Sequence, residues 1–375
     1  MSHAHVAIVG GGLSGLYAAA QLEQRGTRDY VLFEARDVLG GRIASVPASG
    51  HQASGSAAGD IDRFDLGPTW FWPDYQSQLD RLVHDLGLHR FKQYETGDMM
   101  VERSPNERPT RRRGYVNSPA SMRLVGGMAA LIDALRSRVD GARIITGQTV
   151  QRLHSSEGKV ELDSADVTGR ITTWTVRHVL LALPPRLAEE RIAFSPALPD
   201  ALAGQWRDTA TWMAPHAKYI AVYETPFWIE QRLSGEGRSA CGPLGEIHDT
   251  SMPGGSAALF GFFGLPARVR SSVPQDVLRA HCRAQLTRLF GPKAATPKAE
   301  LIKDWAGDAY TAAAADLDAT AGHPHAPAAA ATSGPWRGRL TGIGSEWSPR
   351  FPGYLAGAIE AAALGVAALA DVTTT

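Results

Sequence analysis

Short apolar runs and glycine-rich or polar breaks alternate along the chain, and the first of these sets the pattern. Val6-Ala7-Ile8-Val9 is an apolar, β-branched run that predicts a buried strand. Gly10-Gly11-Gly12-Leu13-Ser14-Gly15 follows at once, and the Ala- and Leu-rich residues 16–24 predict a helix. Tyr30-Val31-Leu32-Phe33 predicts a second strand, closed by an acid, Glu34. Farther along, Leu79, Leu82, Val83 and Leu86 recur at helical spacing within 77–90, and Gly126-Gly127-Met128 opens a helix through Leu131, Ile132 and Leu135. Strands are predicted at 143–145, 149–153, 159–162 and 173–183, with turn signals at Glu157-Gly158 and Thr168-Gly169. Residues 218–223 alternate and run into Pro226-Phe227-Trp228; a strand ending near Gly344 and an Ala-rich helix over 354–370 close the pattern.

Strand, glycine turn, helix, strand and acid, in that order, form the G-x-G-x-x-G fingerprint of a dinucleotide-binding βαβ unit. Gly10 permits the tight turn, Gly12 keeps side chains away from a pyrophosphate, and Gly15 lets the helix approach the strand. The helix start, with the amides of Leu13 and Ser14, suits a pyrophosphate. Glu34, nineteen residues beyond Gly15, is placed to hold ribose hydroxyls. Just past it, Ala35-Arg36 and Gly40-Gly41-Arg42 offer amides and guanidinium groups for a second phosphate contact, or a salt-bridged turn. The fingerprint alone does not separate a flavin from a nicotinamide dinucleotide.

Composition narrows the remaining classes. At 375 residues the chain is too long for one ordinary core, so two intertwined domains are expected. Its 38 basic and 38 acidic side chains cancel, which leaves no field for nucleic acid or an anionic membrane. Arg111-Arg112-Arg113 reads as a solvated face. Two cysteines without ligand spacing, Cys241 and Cys282, point to a reducing compartment. The polar residues 1–5 lead straight into the first strand without a signal peptide, and the most apolar stretch, 354–370, carries Glu360. A cytoplasmic protein without a membrane span is expected. His323 and His325 lack a third ligand, so no metal site is expected, and the Ala/Pro-rich stretch 319–335 reads as a surface loop, like the Ser/Ala/Gly-rich 44–60.

Glu34-Ala35-Arg36-Asp37 followed by Gly40-Gly41-Arg42 resembles the second signature of the flavin-dependent amine oxidase family. Phe64-Asp65-Leu66-Gly67-Pro68-Thr69-Trp70 is similar to the family segment whose backbone runs along the isoalloxazine ring. Trp70, Phe71 and Trp72 serve either that site or the core. Val150 falls where the family touches the adenosine end. Lys218, on a strand ending in Pro-Phe-Trp, is similar to the family lysine that holds a water against flavin N5; burial would lower its pKa. Trp305 and Tyr310 resemble the Trp and Tyr on the approach to the flavin. Gly344, Glu346, Tyr354 and Leu355 resemble the closing motif, in which the acid meets the ribityl chain and the helix start faces the pyrimidine end of the ring.

The resemblance implies a Rossmann-type, three-layer α/β FAD-binding domain (1–78, 121–185 and 303–375) and a mixed α+β substrate domain (79–120 and 186–302). Ala314 and Ala315 stand where many relatives have a flavin-bonding cysteine and an aromatic cage wall, with Tyr354 as the surviving wall. FAD is therefore expected to be held non-covalently, in a site widened on that side. The implied reaction is oxidation of a small-molecule amine by hydride transfer to FAD, with molecular oxygen as acceptor. Lys218, Trp305 and Tyr354 would be its catalytic residues. The alternatives are a desaturase or dehydrogenase of the same fold and a low-turnover FAD-binding protein.

Overall fold

A computed structural model describes residues 2–50, 61–317 and 325–372. Two of the loop readings lie partly outside these residues: 51–60 of the first and 319–324, with His323, of the second.

The chain packs as two units: 1–42, 131–214 and 309–375 form one, 43–130 and 215–308 the other. The sequence reading drew its domain boundaries by resemblance. By packing, 43–78, 121–130 and 303–308 sit with the second unit and 186–214 with the first.

The first unit has three layers. Its central sheet is fully parallel, in the order Ile144–Ile145, Tyr30–Phe33, Val6–Val9, His178–Leu181 and Leu340–Gly342. Such a sheet is covered on both faces, hence its unbroken apolar runs. One face (Ala7, Val9, Val31, Phe33, Val179, Leu181) packs on Leu153, Val160, Leu162 and Val176 of an antiparallel meander, Thr149–Ser156, Lys159–Ala165 and Ile171–Val176. The opposite face meets the helices Leu13–Gln24 and Leu355–Val372, which pack together. A Cβ on Gly365 of the second helix would lie 2.3 Å from Ile343 Cγ2. The single strand expected over 173–183 is two strands, Ile171–Val176 and His178–Leu181, in different sheets.

The second unit is built on a seven-stranded mixed sheet. Its order is Ala299–Asp304, Ala217–Tyr223, Ala257–Phe263, Leu244–Asp249, Leu233–Ser239, Asp98–Glu102 and Thr110–Arg113. Ala217–Tyr223, expected to alternate, is buried at every position because it lies inside the sheet with both faces covered. Thr110–Arg113 is an exposed edge strand, where a run of arginines blocks further strand pairing. Among the described residues no helix is long and apolar enough to cross a membrane, and no group of three His, Cys, Asp or Glu could hold a metal ion.

Candidate active site

In the first unit, the glycine turn works through backbone and empty space. Gly10 adopts φ +111°, and a Cβ there would lie 2.6 Å from the carbonyl oxygen of Ala182. A Cβ on Gly15 would overlap the Gly10 carbonyl at 1.9 Å, whereas one on Gly12 would meet nothing nearer than 3.8 Å. Gly10 and Gly15 thus serve the fold, while the backbone at Gly12 leaves room for a Cβ that the fold itself does not forbid. No side chain caps that helix, and its first turn holds no acid. These are the features of an anion cradle.

Glu34 borders the cradle. Its Oε2 accepts the Gly11 N–H at 2.7 Å and its Oε1 accepts the Arg36 N–H at 2.8 Å, which leaves acceptor capacity for hydroxyls. The backbone of 34–36 is tied to the segment before Val150 by Gln148 N–H to Glu34 O and Gly147 N–H to Arg36 O. The Val150 side chain is in the core. Ala35 is half-buried beside these bonds. The Arg36 guanidinium lies 5.1 Å from the Tyr310 ring centroid. The Ser14 hydroxyl donates to the Ile343 carbonyl, tying the first motif to the last.

Arg42 and Glu346, from motifs 304 residues apart, form a bidentate pair, with Arg42 Nη2 also reaching Ser345 Oγ at 3.1 Å. Burial would raise the Glu346 carboxyl, but the Arg42 charge and hydrogen bonds outweigh it and hold the group below the usual carboxylate range. Gly41 is in the left-handed region at φ +58°, with its Cβ position against Gly12. A Cβ on Gly344 would strike the Leu183 carbonyl at 2.7 Å. Leu355 starts a helix whose first turn again lacks an acid. Beside it, Tyr354 packs on Trp212, with ring centroids 5.7 Å apart. The Thr211 N–H donates to Asp316, which also accepts the Ala313 N–H. That anchorage joins the Trp212 turn to the alanine segment, so Tyr354 has an aromatic partner from a stretch that spacing did not single out. Ala314 and Ala315 themselves are exposed.

In the second unit, Lys218 is 2% exposed. Its ammonium donates to Asp65 O at 3.0 Å, Gly67 O at 2.8 Å and Thr69 Oγ1 at 2.7 Å, and sits 4.3 Å from the Phe260 ring centroid. Burial pulls its pKa down to about 7, against the opposing charge of Asp65. Trp305 Nε1 donates to the intervening carbonyl, Leu66 O, at 3.0 Å. Three successive carbonyls of the loop are therefore spent on buried side chains. The N–H groups of Gly67 and Thr69, both buried, make no hydrogen bond with described residues, nor does that of Trp70; Pro68 has none to offer. Buried donors without partners point to a ligand with acceptor atoms, as the edge of a flavin ring has. Both residue sets fit FAD.

Asp65 and Ser45 cap the helix Ala129–Arg136 by accepting the Met128 N–H at 2.8 Å and the Ala129 N–H at 2.9 Å. Phe71 is core, while Trp70 and Trp72 are half-buried and bond Gln93 and Ser121. Sequence reading passed over Glu246 and His248, whose Oε1 and Nε2 respectively are 2.6 Å apart. The available signal was Glu-x-His on a strand, since residues two apart share a face.

The fold and these two residue sets define a class, the dinucleotide-binding flavoproteins with a second, mixed-sheet unit. Residues 90–370 match the family described as flavin containing amine oxidoreductase, and residues 8–86 match an NAD(P)-binding Rossmann-like domain. The chain belongs to the flavin containing amine oxidoreductase family. It is 26% identical to a probable flavin-containing monoamine oxidase A of Dictyostelium discoideum, over 64% of this chain and 51% of that protein. It is 28% identical to a putrescine oxidase of Kocuria rosea, over 62% and 50%. The chain thus spans about half the length of the curated relatives it matches. The solved cyclohexylamine oxidase of Brevibacterium oxydans shares the fold, with a TM-score of 0.78 and 20% identity over 99% of this chain and 100% of that one.

Proposed function

We propose that this chain is an FAD-dependent amine oxidase with non-covalently held cofactor. The observation that carries the reading is the loop 65–69, with every carbonyl from Asp65 to Gly67 engaged by Lys218 or Trp305 and its buried amides left to donate. In the first unit, the turn 10–15 would take the pyrophosphate, Glu34 the ribose, and Arg42, Gly344, Glu346 and Leu355 the ribityl and ring end. In the second, Gly67, Thr69 and Trp70 would meet the ring. On this assignment the first unit is the FAD-binding part and the second the substrate part.

Bound FAD would supply the acceptor for a hydride equivalent from the amine and pass the electrons to oxygen, giving an imine that hydrolyses to a carbonyl, and hydrogen peroxide. The chain's own groups orient and polarise. Lys218 fixes the loop with all three of its protons, and its lowered pKa lets it give one up near neutral pH. Trp305 holds Leu66 in place. Tyr354, backed by Trp212, shapes the amine's approach. No side chain at either set is arranged as a nucleophile, and the reaction needs none.

The test is an anaerobic titration of the purified yellow protein with primary monoamines, diamines, secondary amines and L-amino acids. One class is expected to bleach the flavin, and air to restore the colour with peroxide formed. A flavin that dithionite reduces and no amine does would overturn the reading. Acid precipitation is expected to leave the flavin in the supernatant.

A further inference from the structure

Glu246 and His248 leave strand Leu244–Asp249 on the face that also carries Lys218. Register shows it: Glu246 and Lys218 both lie opposite Phe262, and His248 lies opposite Phe260. The Lys218 ammonium is 4.3 Å from the Phe260 ring centroid and 5.2 Å from that of Phe262. Glu246 Oε1 is 2.6 Å from His248 Nε2, and its Oε2 is 2.6 Å from Arg238 Nη1. Burial would raise this carboxyl, but His248 and Arg238 hold it below the usual carboxylate range.

A carboxylate can only accept from Nε2, so it fixes the tautomer and leaves the lone pair of a neutral ring on Nδ1. That nitrogen makes no hydrogen bond with described residues and is not sealed from solvent. The ring is held by the edge of Trp70 at 4.9 Å and by Phe260 at 5.4 Å. Trp70 ends the loop whose amides stand unpaired. An oriented basic nitrogen thus sits beside the segment proposed to meet the flavin, and nothing in the reaction derived above uses it.

We propose that His248, oriented by Glu246, takes the proton from the ammonium group of the incoming substrate. This rests on the amine-oxidising reading above. An alkylamine, like a lysine side chain of pKa about 10.4, enters protonated at neutral pH. Without a lone pair, its nitrogen cannot assist departure of a hydride from the neighbouring carbon. In the proposed step one N–H bond of the ammonium breaks, its electron pair stays on nitrogen, and the proton bonds to Nδ1. Glu246 stabilises the resulting imidazolium. Among the described residues, the charged and titratable groups connected to the ring are Glu246 on its own strand, Arg238 paired to Glu246 and itself in contact with Glu236 and Tyr115, and Lys218 against Phe260.

Two probes of the holoenzyme test this. tert-Butylamine has an ammonium proton but no hydrogen on the carbon bearing nitrogen, so it binds without being oxidised; tetramethylammonium has no such proton. With 15N-labelled histidine, tert-butylamine is expected to move the His248 ring to the imidazolium pattern, and tetramethylammonium is not. In His248→Asn, anaerobic bleaching by a primary amine at pH 7 is expected to fall about a hundredfold and to recover as pH approaches 10, where the amine arrives neutral. An unshifted His248 ring with tert-butylamine bound, or a variant that bleaches at the parent rate at pH 7, overturns the proposal. Failure of every amine to bleach the parent flavin strikes the oxidase reading instead, and the NMR probe still decides His248 without turnover.

Discussion

The turn 10–15 and the loop 65–69 prepare for a ligand by opposite means. The turn is made by omission: glycines remove Cβ atoms, no acid caps the helix, and a Cβ on Gly12 would make no contact closer than 3.8 Å. The loop is made by occupation, with Lys218 and Trp305 engaging the carbonyls of Asp65, Leu66 and Gly67 and the Thr69 hydroxyl, while the amides of Gly67 and Thr69 are left to donate. Omission needs local sequence alone. Occupation needs partners about 150 to 240 positions away, so it exists only once the second unit has folded.

The sharpest way to break this contrast is Gly15→Ala. Its Cβ would meet a backbone carbonyl at 1.9 Å, where no side chain can swing aside. A loss of about 4 kcal/mol or more is expected, enough to cripple a fold stabilised by about 5–15 kcal/mol; thermal unfolding of the apoprotein would show it. Next comes Glu346→Leu, which strands Arg42. Breaking such a pair costs about 3–5 kcal/mol, nearer the lower end here because the Arg42 side chain is a quarter exposed. The double change Arg42→Met with Glu346→Leu is expected to recover part of the lost melting temperature.

Lys218→Met is expected to cost about 1–3 kcal/mol at pH 7, since three acceptors lose their donor. Its deficit should also depend on pH. The folded lysine loses its proton near pH 7, whereas the unfolded chain holds it to about 10.4. Between these values the unfolded state binds more protons, so parent stability rises with pH. The melting-temperature gap between parent and variant should widen from pH 7 to 10. A constant gap would mean that the lysine is not desolvated as described.

The same contrast explains what could be read from the sequence. The parallel sheet, the glycine turn and Glu34 were legible because strand, turn, helix and acid follow one another within thirty-odd residues. Lys218 was legible as a residue, but its partners were not, because they lie about 150 positions away and only the sheet order shows the strand covered on both faces. Pairing of Arg42 with Glu346 and of Trp212 with Tyr354 arises from long-range packing that no local spacing encodes. Glu246-Ile247-His248 had a local signal, period two on a strand, hidden by the absence of any flanking motif.

Gly12→Ala tests the central claim most directly, because it separates the cradle from the fold. Its Cβ would make only ordinary contacts with the protein, at 3.8 Å to Gly40 and Gly41, and would stand in the path of the proposed pyrophosphate. The measurement is flavin content beside thermal unfolding of the purified variant. The account predicts a chain that unfolds within a few degrees of the parent apoprotein and carries little or no FAD. A variant as yellow as the parent would contradict it.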